Sequence, residues 1–145
     1  MDNKILILVR HGKAIDGKKF LGNDFDRLLL ENWKKEFKQL TYFFQKNTIF
    51  SPQIILTSSV KRCFETAEIL RKTYKLKKSS LISTKNLYYG DWGLWKIENY
   101  FNESMKIEEQ VNILALVWHN WTITDFASEL IWESCVSMEN EVLWF

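Results

Sequence analysis

A chain of 145 residues, 46% hydrophobic and 26% charged, has the size and balance of one globular domain over residues 1–145 and excludes a disordered or collagen-like polypeptide. The net charge of +2 gives no overall field favouring nucleic acid or an anionic membrane, so any anion site must come from a local cluster of basic groups. The longest apolar runs, Ile5 to Val9 and Ile113 to Trp118, fall far short of the roughly 20 residues that span a bilayer.

Met1 to Lys4 leads directly into the first apolar run without the features of a secretory signal, so a cytoplasmic location is expected. Lys4 to Val9 is a continuous β-branched and leucine run, the pattern of a strand buried on both faces. A loop from Gly12 to Asp26 follows. From Leu28 to about Gln45, the residues Leu29, Trp33, Phe37, Leu40 and Phe44 recur at helical spacing. Ser51-Pro52 breaks the chain, and Gln53 to Thr57 reads as a second short buried strand. Ser59 is placed to cap a helix reaching about Tyr74, with Cys63, Ala67 and Leu70 inward.

The basic stretch Arg71 to Lys78 ends that helix, where cations suit the C-terminal dipole. Sparse aromatic interleaving makes it a solvated face rather than a nucleic-acid patch. Leu81 to Ser83 reads as a third strand and Leu94 to Met105 as a helix. Val111 to Trp118 is a further strand, followed by a helix over Thr122 to Ile131 with Phe126 and Leu130 inside. Cys63 and Cys135 lie far apart and outside CxxC spacing, as expected of reduced packing residues. Strands alternating with helices predict a three-layer α/β sandwich around a largely parallel sheet, whose ligands bind beyond the carboxyl ends of the strands.

Those ends carry the chemistry. The first strand runs into Arg10-His11-Gly12, the second into Thr57-Ser58-Ser59 with Arg62 a turn later, and the late strand into His119-Asn120. The chain has only two histidines, and both follow predicted buried strands. Clustering imidazoles with guanidinium groups is costly unless an anion joins them, and arginine forks with histidine donors match a tetrahedral phosphate.

Leu8-Val9-Arg10-His11-Gly12 resembles the RHG signature of the histidine phosphatase superfamily, which includes phosphoglycerate mutases and small phosphohistidine phosphatases. Ser58 to Ala67 resembles its second motif, a serine four residues before an arginine and then Thr-Ala. Asp24-Phe25-Asp26-Arg27 with Leu29 resembles the D..R.L segment of the phosphohistidine branch, and Leu116 to Thr122 the segment carrying the second histidine. The resemblance implies a phosphoglycerate mutase-like fold. It also implies a nucleophilic His11, with Arg10, Arg62 and His119 neutralising the phosphoryl oxygens. Gly12, Arg27, Ser58 and Asn120 are expected to contact substrate. Asp24 and Asp91 are the two candidates for the leaving-group acid. No metal or cofactor is expected, because two histidines among arginines make a poor cation site.

Four residues depart from the pattern: Leu28 and Trp121 stand where Pro is usual, and Trp33 and Trp118 where Gly is usual. Trp118 and Trp121 flank His119, which keeps open a phosphate-binding module without turnover. The favoured expectation is a phosphatase acting on protein phosphohistidine, since few insertions are available to build a lid. The alternative enzyme acts on small phosphorylated metabolites or sugars.

Overall fold

The computed structural model describes residues 5–47, 51–88, 111–119, 123, 127–128 and 141–144. The apolar runs form strands β1 (Ile5–Arg10), β2 (Ile54–Ser58), β3 (Leu81–Thr84) and β4 (Ile113–Trp118), and a further strand, β5, covers Glu141–Trp144. They make one sheet in the order β3-β2-β4-β1-β5, with every neighbouring pair parallel. Two helices, α1 (Glu31–Asn47) and α2 (Lys61–Thr73), complete the larger elements of the described residues.

Alternation along the strands divides the core. Ile7, Val9, Ile55, Ala115 and Val117 face Phe37 of α1 and Cys63, Ala67 and Leu70 of α2. Leu8, Leu56, Leu114, Leu116 and Trp118 point the other way, against Leu87, Ile123 and Ala127. Each fully buried Leu or Ile of this kind contributes about 1.5–3 kcal/mol by leaving water, so apolar side chains stabilise both faces of the sheet. This explains the unbroken apolar runs. Among the described residues no helix is long and apolar enough to cross a membrane.

Local chemistry moves two expected boundaries and one buried position. Helix α1 starts at Glu31, not Leu28, because the Leu29 N–H donates to Glu65 Oε2 (2.7 Å) and the Leu30 N–H to the Lys13 carbonyl (2.9 Å). Leu40, counted on the apolar face, is exposed, and Thr41 takes the buried place with its hydroxyl against that of Thr73. Helix α2 begins after Val60 with no side-chain cap. Ser59 lies one residue too early: its N–H is committed to the Thr84 carbonyl, and its buried hydroxyl has no partner among the described residues.

The expected helix at Leu94 to Met105 lies outside the described residues. So do Phe126, Leu130 and Cys135. In that later helix the described residues Ile123 and Ala127 are the buried ones, one helical turn apart. Cys63 is buried as a free thiol.

Candidate active site

The sheet order creates the site. The chain leaves β1 toward α1 on one face, whereas after β4 it reaches Ile123 and Ala127 on the other. A crevice therefore opens between the carboxyl ends of these neighbouring strands. Arg10 pairs with Trp118 in the β1–β4 register, so His11 and His119 stand side by side one step beyond it, tied by the His11 N–H to the Trp118 carbonyl (3.0 Å). Their ring centroids are 5.4 Å apart and their planes cross at 71°.

One ring nitrogen of His11 is assigned by its partner. Nδ1 lies 2.8 Å from the Gly12 carbonyl, which only accepts, so Nδ1 carries the proton and Nε2 of the neutral ring carries the free electron pair. The His11 pKa is lowered by burial and by the charges of Arg62, Arg10 and Arg27, against the Gly12 bond. The His119 pKa is lowered to about 4, chiefly by burial and then by Arg62 and His11. Both rings are thus neutral at pH 7. His119 Nε2 also lies 3.2 Å from Ser58 Oγ, at the end of β2.

Arg62 enters from the first turn of α2 and is only 5% exposed. Its Nη1 donates to the Asp24 carbonyl (2.8 Å) and its Nη2 to Asp24 Oδ2 (3.0 Å). Its buried Nε–H has no acceptor among the described residues, a donor available to an oxyanion. Arg27 holds the other carboxylate oxygen of Asp24, Nε to Oδ1 at 2.7 Å, and donates to the Ile15 carbonyl (3.0 Å). The Tyr88 hydroxyl donates to Asp24 Oδ2 (3.3 Å). Burial works to raise the Asp24 pKa, but the Arg27 hydrogen bond and the Arg62 charge outweigh it and hold the carboxyl below its usual range. An ionised carboxylate has no proton to give, so in this arrangement Asp24 orients two arginines. Arg10 is exposed at the edge of the crevice.

The structure thus brings His11, His119, Arg62, Arg27, Ser58 and Asp24 together. Asp91 and Asn120 lie outside the described residues, as does Trp121. Trp118 points away from the crevice into the opposite core, with its indole N–H on the Leu87 carbonyl. Sequence reasoning missed the supports. Thr66 Oγ1 accepts from the Gly12 N–H (3.2 Å) and donates to the Arg62 carbonyl (2.7 Å), joining the His11 and Arg62 segments. Its place one helical turn after Arg62 was the available signal. Glu65 ties the 12–30 loop to α2 through Leu29 and Lys34.

Gly12 is required by a close approach, since a Cβ there would lie 2.0 Å from ring carbons of Trp33. That indole stacks on Phe37 at 4.6 Å. Gly12→Ala is expected to lower stability by about 1–3 kcal/mol through overpacking. In urea denaturation, Trp33→Ala in the same chain should restore part of the Gly12→Ala loss, and strict additivity would contradict the contact.

The His119 shift has a stability consequence. Its imidazole gains a proton near pH 6.5 in the unfolded chain and near pH 4 in the folded one. Between these values the unfolded state binds more protons, so this contribution is complete above about pH 6.5 and is lost as pH falls toward 4. The shift corresponds to at most about 3 kcal/mol, less once solvent screening at a half-buried ring is counted. Melts at pH 7.5 and 4.5 should show a smaller acid loss in His119→Gln than in the unaltered protein.

A paired-histidine, arginine-lined crevice at a parallel-sheet edge defines a phosphate-handling α/β protein. Residues 6–130 match the histidine phosphatase superfamily (branch 1), and the chain belongs to that family. No curated protein sequence matches it. Among solved structures it is similar to the protein histidine phosphatase SixA complexed with tungstate, with a TM-score of 0.69 at 18% identity over 86% of this chain and 75% of that one. A protein assigned as the phosphohistidine phosphatase SixA of Agrobacterium tumefaciens gives 0.65 at 21% identity, over 86% of this chain and 76% of that one. A mycobacterial glucosyl-3-phosphoglycerate phosphatase gives 0.59 at 17% identity, over 85% and 77%. These likenesses share the phosphoglycerate mutase-like fold.

Proposed function

We propose that this protein is a metal-independent phosphatase that passes the phosphoryl group of a protein phosphohistidine through His11. The observation that carries the reading is the Nδ1 bond of His11 to the Gly12 carbonyl at 2.8 Å, which leaves Nε2 as an unprotonated nucleophile. Nε2 attacks phosphorus as the bond to the departing imidazole nitrogen breaks. Water then attacks phosphorus, the bond to Nε2 breaks, and inorganic phosphate leaves. Arg10, Arg62 and His119 hold the equatorial oxygens, where charge spreads during transfer, with Arg27, Ser58 and the Gly12 segment around them.

No enzyme carboxylate needs to supply the proton for such a substrate, because a departing imidazole takes one from solvent. The half-buried rings of His11 and His119 and the exposed Arg10 suit a phosphoryl group borne on another protein's surface. The guanidinium groups supply the positive charge that a metal would bring, so EDTA should leave turnover unchanged.

The test compares a phosphohistidine peptide, a sugar phosphate and an aryl phosphate, with and without His11→Ala. Fastest release from the peptide, lost in the variant, supports the reading. Preference for the sugar phosphate would make the substrate a metabolite, and binding without release in either protein would make the chain a phosphate-binding module.

A further inference from the structure

We propose that the groove between α1 and α2 binds an acidic, extended segment of a partner protein. This open groove of ≈ 900 Å³ is lined by none of the residues assigned to phosphate. Six lysines line it, Lys34, Lys35, Lys38, Lys46, Lys72 and Lys75, and no carboxylate does. For a chain with a net charge of only +2, this is a concentrated field of one sign.

Internal pairing leaves much of that charge unmatched. Lys34 bonds Glu31 and Glu65, both at 2.8 Å, and Lys72 stands 3.8 Å from Glu68. Lys46 lies over the Tyr42 ring at 4.6 Å. Lys35, Lys38 and Lys75 are exposed and have no anionic partner among the described residues. The helix dipole accounts for Lys46 and Lys72, which sit in last turns, but it opposes Lys34 and Lys35 near the start of α1. Lys75 occupies a left-handed position, φ 56°, where glycine would be free of strain, yet it is a lysine that lines this groove.

The shape favours polypeptide. From Lys34 to Lys46 the groove follows α1 for about 18 Å at 1.5 Å per residue, the span of about five or six extended residues. Gln39, Gln45 and Thr73 add amide and hydroxyl groups suited to a peptide backbone, and Ile69 gives an apolar contact. Tyr42 is the single aromatic ring in the lining, too little for a base-stacking platform.

The probe is a fluorescein-labelled peptide of alternating glutamate and aspartate with one central leucine, followed by anisotropy at low salt. Saturable binding is expected, weakening as salt rises. Lys35→Glu/Lys38→Glu/Lys75→Glu should weaken it by about tenfold, as the sum of three exposed charge pairs. The equally charged control Lys18→Glu/Lys19→Glu/Lys85→Glu, away from the groove, should leave it near the unaltered value. Binding should survive His11→Ala, which separates this inference from the catalytic reading. No binding, equal losses in both triple variants, or tighter binding of a single-stranded oligonucleotide or phosphatidylserine vesicles would overturn it. Circular dichroism of both variants checks that they fold.

Discussion

Replacing Arg62 with methionine is expected to lower turnover of an aryl phosphate by about 10²–10³-fold, the loss seen when a preorganised donor to developing charge is removed. Three features concentrate the effect on this side chain. It is buried beside both imidazoles, it is the charge that acts most strongly on His119 after burial, and its Nε–H has no acceptor among the described residues. Methionine retains much of the apolar stem, so the loss should appear in kcat and in weakened inhibition by inorganic phosphate. Stability should fall by about 1–3 kcal/mol, because the Asp24 carbonyl loses its Arg62 donor and the carboxylate keeps only those of Arg27 and Tyr88. Arg62→Lys keeps the charge without the fork and should recover only part of the activity. Unchanged phosphate inhibition in Arg62→Met would place the anion elsewhere.

Removing the proposed nucleophile should have the larger effect. His11→Ala is expected to cost about 10⁴-fold or more in kcat, since binding and charge stabilisation alone give only residual catalysis. The pH profile carries the same information in the unaltered protein. His11 must be neutral to attack, and its pKa is lowered by burial and three arginines. The acid limb of kcat/KM should therefore lie below the ordinary imidazole value near 6.5. An acid limb above that value would mean that the ring gains, not loses, proton affinity on folding.

Much of this arrangement was legible in the residues, and the rest was not for identifiable reasons. Unbroken runs such as Leu6 to Val9 and Leu114 to Val117 announce strands covered on both faces, and the residues after them fall at the ligand edge. That His11 and His119 are immediate neighbours depends on the register that sets Arg10 against Trp118, which no local pattern encodes. The same alternation decides that Trp118 turns into the far core. Trp33 stands where the family pattern has glycine, and it is accommodated by the absent side chain of Gly12, a long-range complement invisible along the chain. Asp24 reads equally well as a turn residue or an acid. Only the fold shows Arg62 and Arg27 converging on its carboxylate. Lys72 and Lys75 read as part of a solvated face until the packing of α2 against α1 brings them together with the lysines of α1.

In the proposed reaction the phosphoryl group rests transiently on Nε2 of His11. Rapid mixing with excess phosphohistidine peptide, quenching in alkali and mapping the labelled fragment by mass spectrometry and ³¹P NMR tests it directly. An acid-labile adduct confined to His11 and attached through Nε2 is expected. A stable phosphoserine, an adduct on His119, or attachment through Nδ1 would contradict it.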